Sequence, residues 1–157
     1  MSVMCVSHRI RLRGPWQCVP LSRNRLLADG TLHEQRTDLP SPIRLNLPTH
    51  IFTPFGDDFC GTVRLQRTFN RPTGLEVETR IVLVLRFGKR AGLLWLNDKP
   101  LGTIEPTTVD HRFLLGLGLL PHNRLEIELQ LDNQQDRVPG DSVGEIFLEI
   151  HSPPSGS

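Results

Sequence analysis

At 157 residues, with 38% hydrophobic and 22% charged residues, the chain is one domain's worth of ordinary globular sequence, long enough to bury a core. A formal net charge of +1 gives no field that would draw it to nucleic acid or to an anionic membrane, so neither is expected as a partner. The three cysteines, Cys5, Cys18 and Cys60, include no Cys-x-x-Cys pair, which argues against a disulfide framework and against a zinc site.

The opening "MSVMCVSHRIRLRG" reaches arginine too soon for a secretory leader. No apolar run approaches the roughly 20 residues needed to cross a bilayer, and a soluble, cytoplasmic protein is expected. In "HRIRLR", Ile10 and Leu12 alternate with Arg9, Arg11 and Arg13, the period of two that marks a strand with one buried face. "SRNRLLADGTLHEQ", residues 22–35, is the only stretch with a helical look, but Asp29-Gly30 at its centre predicts a hairpin instead. Seven arginines, at 9, 11, 13, 23, 25, 36 and 44, face only Asp29, Glu34 and Asp38 in the first 50 residues. This mild asymmetry reads as solvated strand faces.

The stretch "FTPFGDDFCGTVRLQRTFNRP", residues 52–72, changes character halfway. Its first half crowds Phe52, Phe55 and Phe59 among Pro54, Gly56, Asp57 and Asp58, so large rings sit where loop chemistry prevails. Phe52 and Phe59 are expected to plug the end of a core. Phe55, between Pro54 and Gly56, is open to that role or to an exposed one. The second half alternates from Val63 to Phe69 and puts Arg67 on the inward face, where a guanidinium must be paired or hydrogen-bonded. That requirement predicts a strut to loop carbonyls or to a carboxylate, with an anion contact as the functional alternative.

From Leu75 to Phe87 the odd positions are almost all apolar (Leu75, Val77, Ile81, Leu83, Leu85, Phe87), while Val82 and Val84 suggest a partly covered second face. "GKRAG" (88–92) then leads into "LLWLN", and "NDKPLG" (97–102) turns that strand into the next, with Asn97 and Asp98 suited to positive φ. "RLEIELQLD" alternates Leu125, Ile127, Leu129 and Leu131 with Arg124, Glu126, Glu128 and Gln130. A polar run from Asp132 to Asp136 follows, before the turn at Pro139-Gly140. Ile146, Leu148 and Ile150 share a face near the end, and "HSPPSGS" reads as a tail. Roughly eight short strands with frequent turns predict an all-β fold, a single antiparallel β-sandwich over residues 1–150 with residues 151–157 as a flexible tail. The inner faces should carry Leu65, Phe69, Leu83, Leu85, Leu94, Leu125, Ile127 and Leu129.

Several of these motifs, in this order, resemble the sugar-binding domain of family 2 glycoside hydrolases, a galactose-binding-like jelly roll. "GTVRLQRTFNRP" is similar to that domain's G-x-V-x-L-x-R-x-F-x-x-P signature, "AGLLWLNDKPLG" to its hairpin ending in L-G, "PHNRLEIELQ" to its N-x-L-x-I-x-V strand and "IRLRGPW" to its opening L-x-G-x-W. The resemblance spans most of residues 8–150. Arg64 and Leu65 stand where the family commonly carries an aromatic pair, and Asp98 replaces a turn glycine. The family continues into an immunoglobulin-like domain and a catalytic barrel that holds its catalytic glutamates, so hydrolase activity is not carried over and no enzyme is expected.

The resemblance implies a non-catalytic carbohydrate-binding or accessory module, contacting sugar weakly through loops at one end of the sandwich, at 52–60, 97–99 and 132–141. Phe55 would be the platform there. Asp57, Asp58, Asn97, Asp132 and Asn133 would bond hydroxyls, with Asp58 and Asp132 facing a common groove. For each of these the residues alone also allow solvated loop or turn roles. The absence of Tyr, with Trp16 and Trp95 both expected to lie partly in the core, counts against a strong autonomous lectin. The alternative is a protein-interaction or assembly module, self-associating or binding a protein partner, that kept the scaffold and lost the sugar. No phosphate-cradling glycine loop, no paired-histidine spacing and no nucleophile elbow occurs, so no cofactor, metal or catalytic group is expected.

Overall fold

A computed structural model describes residues 5–47, 55, 59–75, 77–87, 90–105, 110–115, 119–131 and 144–152. Its strands are β1 (Cys5–Arg11), β2 (Trp16–Leu26), β3 (Leu32–Gln35), β4 (Ile43–Leu45), β5 (Gly61–Asn70), β6 (Arg80–Arg86), β7 (Gly92–Leu96), β8 (Lys99–Ile104), β9 (His111–Leu114), β10 (His122–Leu131) and β11 (Glu145–Ser152). They form two antiparallel sheets. The smaller has the order β1-β11-β6-β9. The larger has the order β3-β2-β5-β10-β7-β8, with β4 also on β2.

The alternation in the sequence sets this arrangement. Leu65 pairs with Ile127, and Ile127 with Leu94, so β5, β10 and β7 present one continuous apolar face. Leu83 pairs with Leu148, and Leu148 with Ile10, which builds the facing surface of the smaller sheet. Val63, Leu65, Leu83, Leu85, Leu94, Leu125, Ile127, Leu129, Ile146 and Leu148 meet in one core. Each fully buried aliphatic side chain there contributes about 2 kcal/mol. All eight side chains expected on the inner faces are buried in this core.

Two backbone features position the centre of the larger sheet. Pro20 lies in β2 at the register shift between Pro20 and Ser22, where a missing N–H is tolerated. Opposite that bulge a Cβ on Gly61 would overlap the Ser22 carbonyl oxygen, so only glycine lets β5 start there. Trp16, fully buried, ties the β1–β2 corner together by donating its indole N–H to the Leu12 carbonyl at 2.8 Å.

Several boundaries differ from the sequence reading. The alternation from Leu75 suggests a strand along its whole length, but β6 starts at Arg80, and Val77 is fully exposed. Alternation alone does not make a ladder, and β6 pairs with β11 only from Arg80 to Arg86. The short β9, missed in the sequence, pairs with β6 and carries Phe113 against Gly102 of β8, where a Cβ would lie 2.5 Å from the ring. At the other extreme β11 continues through His151 and Ser152, past the expected end of the domain. The hairpin at Asp29-Gly30 forms as expected: β2 pairs with β3, Gly30 has φ 87°, and Asp29 accepts hydrogen bonds from the Thr31 backbone and hydroxyl.

Candidate ligand-binding face

The phenylalanine cluster resolves in favour of the core for the two rings described. Phe59 is buried, and the half-buried Phe55 leans on it with ring centroids 5.2 Å apart and planes at 55°. Phe52, Asp57, Asp58, Asp132 and Asn133 lie outside the described residues.

Asn97 is placed apart from that cluster. Because β7 runs antiparallel to β10, the turn after β7 sits beside Arg124 at the start of β10, and Asn97 N–H donates to the Arg124 carbonyl at 2.9 Å. Gly61, just after Phe59 and Cys60, pairs instead with Leu131 at the far end of β10, roughly 20 Å away along the strand. The expectation that the 97–99 turn and the 52–60 loop share one end of the sandwich is therefore not met by Phe59 and Cys60, the described residues of that loop next to β5. Asn97 has φ 51° and Asp98 φ 68°, as the turn reading requires. The Asn97 side chain is engaged within the protein, its amide donating to Asn123 Oδ1 at 3.0 Å and its oxygen accepting from Arg124 N–H at 2.8 Å.

The outer face of the larger sheet brings together a set of side chains not singled out from the sequence. Leu94 and Leu96 point into the core, so Trp95 between them must point out, and it lies half-buried directly across from Glu126. A shallow cavity of about 220 Å³ is lined by Trp95, Arg64, Asp98, Glu126 and Glu128. Arg64 pairs with Glu128 at 3.3 Å and lies 3.6 Å from Glu126. Arg124 bridges Glu126 at 2.8 Å and Asp98, whose hydrogen bond, first among the causes, holds the Arg124 guanidinium above its ordinary pKa. It is the buried Arg64 Nε that faces Glu126 at 3.6 Å, and among the described residues this atom has no hydrogen-bond partner.

Chemically the face offers an indole wall, carboxylate acceptors with lone pairs to spare and guanidinium donors held in place by those same carboxylates. Such a surface suits a hydroxyl-rich ligand that stacks an apolar face and bonds its edges. Among the described residues no three His, Cys, Asp or Glu side chains cluster in a way that could hold a metal ion, and no helix is long and apolar enough to cross a membrane.

Solved structures share this architecture. An FMN-binding β-glucuronidase from Faecalibacterium prausnitzii L2-6 superposes with TM-score 0.63 at 17% identity, over 93% of this chain and 22% of its own. A Bifidobacterium dentium β-glucuronidase complexed with coumarin-3-O-glucuronide gives TM-score 0.62 at 18% identity, over 94% of this chain and 30% of its own. A rhamnosidase from Novosphingobium sp. PP1Y gives 0.61 at 16%, over 96% and 16%. The chain has the fold of a glycosidase domain. It spans less than a third of each of these three enzymes. No protein-family model and no curated protein matches it by sequence.

The signal that would have found this face was available. In a sandwich the polar half of each alternating strand is the outer face, so Arg64, Glu126 and Glu128 had to share a surface with Trp95. Reading Trp95 as partly core, because its neighbours are leucines, hid it.

Proposed function

We propose that the chain is a non-catalytic carbohydrate-binding or accessory module, with the outer face of the larger sheet around Trp95 as its sugar platform. The observation that carries this reading is the half-buried indole beside the Arg64 guanidinium and the Glu126 and Glu128 carboxylates, which line one groove with it. Sugar rings pair an apolar C–H face with a polar rim, and this groove pairs an aromatic wall with charged donors and acceptors. Its shallowness fits weak binding, since a ligand there would bury only part of its surface.

Titration of the protein with glucuronides, galactosides and rhamnosides, read by calorimetry and tryptophan fluorescence, tests the proposal. Trp16 is fully buried, so a sugar-dependent fluorescence change would come from Trp95. A saturable response at millimolar sugar that disappears in Trp95→Ala supports the reading. No heat with any of the three sugar classes overturns it.

A second reading, an interaction or assembly module that binds no sugar, is favoured by the tip of the β2–β3 hairpin. Leu26 and Leu32 are cross-strand partners there and are 72% and 73% exposed. Paired leucines facing solvent on a strand with a free edge invite another chain. Light scattering of the wild type and of a Leu26→Ser/Leu32→Ser variant separates the two: self-association lost in the variant favours assembly, and a monomeric wild type removes this reading.

A further inference from the structure

The two sheets part at one end of the sandwich and leave a second cavity, of about 300 Å³, that the outer-face groove does not explain. It is lined by Ile10, Leu12 and Leu148 on the side of the smaller sheet and by Arg67, Thr68, Phe69 and Asn70 of β5. Arg67 pairs across the ladder with Leu125, a fully buried inner-face residue, so its side chain leaves β5 toward the interior. The expected strut is reduced to one long hydrogen bond, from Arg67 Nε to the Thr68 carbonyl at 3.4 Å, and its buried Nη1 has no hydrogen-bond partner among the described residues.

A half-buried cation without a counter-charge is costly, because desolvation is not offset by attraction. The same desolvation holds the Arg67 pKa below the ordinary arginine value. Arg86 and Arg124, by contrast, sit among carboxylates that raise theirs, Asp110 and Glu145 for the first and Asp98 and Glu126 for the second. Among the described residues no carboxylate answers Arg67, which leaves it for something from outside.

We propose that this inter-sheet cavity binds a small organic carboxylate with an apolar body, its acid group paired to the Arg67 guanidinium and its hydrocarbon part against Ile10, Leu12, Phe69 and Leu148. The planar fork of arginine matches a carboxylate in two parallel hydrogen bonds. The apolar walls select against a bare inorganic anion, which would have to shed its hydration without gaining contacts in return. The volume lies at the small end of the range for ligand pockets and excludes a large metabolite. This site is independent of the sugar platform, being lined by none of the same residues.

The test uses benzoate as the probe, with benzyl alcohol and inorganic phosphate as controls, by calorimetry and thermal melting at pH 7. Benzoate should bind with one-to-one stoichiometry and raise the melting temperature, and the two controls should do neither. Arg67→Met should abolish the benzoate response while melting no lower than the unliganded wild type, because it removes an uncompensated charge and keeps the chain length. Arg67→Lys, which keeps the charge and loses the fork, should weaken binding about tenfold. Should Arg67→Met fail to fold, methyl chemical shifts of Ile10, Leu12 and Leu148 in the wild type report the same occupancy. An absent benzoate response, a response retained in Arg67→Met, or an equal response to phosphate each overturns the proposal. Loss of sugar binding in Trp95→Ala would leave it untouched.

Discussion

Glu149, only 1% exposed, lies with its Oε2 3.1 Å from Arg9 Nη2 on the outer face of the smaller sheet. Arg112 bonds its other oxygen, and His151 Nε2 stands 3.2 Å from that same atom. Burial by itself would raise the Glu149 pKa, but the hydrogen bonds from Arg112 and His151 and the charges of Arg112 and Arg9 outweigh it and hold the group below the usual carboxylate value. Arg9 and Arg86 also stack on the buried Phe147 ring, at 5.1 and 5.0 Å from its centroid. The arginines thus cover this face and neutralise the buried Glu149.

Removing that acid leaves cations facing each other over a buried position. Glu149→Ala is expected to cost about 3 kcal/mol, or roughly 6–12 °C in melting temperature for a chain this long. A folded pKa lowered below the unfolded one gives stability that is complete above the unfolded value near 4.5 and fades as pH falls through the folded value. The gap between wild type and variant should therefore be present at neutral pH and narrow below about pH 4.5. Melts at pH 7 and pH 3.5 check this, and a gap that persists in acid would assign the loss to packing rather than charge.

Cys18 faces the core from β2, and burial pushes its thiol up to about 12. At pH 8 it is neutral and sealed, so an aromatic disulfide reagent should label Cys60, which is partly exposed, and leave Cys18 unmodified until denaturant is added. Peptide mass mapping after labelling distinguishes the two. Rapid native labelling of Cys18 would mean that β2 opens from β4 and β5 far more readily than its pairing implies.

The parts of this fold that were legible are those in which one strand face repeats. Leu125, Ile127 and Leu129 announce β10, and Val63, Leu65 and Phe69 announce β5, because a period of two has no other good use over that length. The start of β6 was illegible, since Leu75 and Val77 keep the alternation with no strand beside them. β9 was illegible because four residues carry too little pattern. The site was read less well than the fold. Asn97 was recognised as a turn residue, but its distance from Phe59 depends on strand direction, which no local pattern encodes. Trp95 was misplaced for the reason already given, a local apolar neighbourhood outweighing strict alternation.

Asn123 is the polar residue that locks the β7–β8 turn to the rest of the larger sheet. Buried to 1% exposure, it accepts from Leu120 N–H at 2.9 Å and from the Asn97 amide at 3.0 Å, and it donates to the Leu120 carbonyl at 2.8 Å. Asn123→Ala strands all three partners and should cost about 2 kcal/mol, the usual penalty for buried polar groups left unmade. Urea unfolding should show a lower midpoint with an unchanged slope. Asn123→Asp keeps both accepted bonds but sets a buried carboxylate oxygen against the Leu120 carbonyl, so at neutral pH it should melt well below the wild type and recover part of the loss as the pH falls and the carboxyl takes up a proton.

Two locations compete as the sugar site, and one set of variants decides between them. The outer face depends on Trp95, whereas the loop reading depends on Asp58 and Asp132. If the face is the site, Trp95→Ala should weaken glucuronide or galactoside binding at least tenfold, a loss of about 1.4 kcal/mol. The Asp58→Ala/Asp132→Ala double variant should then stay within twofold of the wild type. Arg64→Met should weaken binding too, since it removes a guanidinium that lines the groove beside Trp95. The opposite pattern, with the double variant losing affinity and Trp95→Ala retaining it, moves the site to the loops. Melting curves of each variant guard the comparison: Trp95→Ala unfills a half-buried position and should melt a few degrees lower, yet cooperative unfolding with intact secondary structure would show that the affinity change belongs to the missing indole rather than to a damaged sheet.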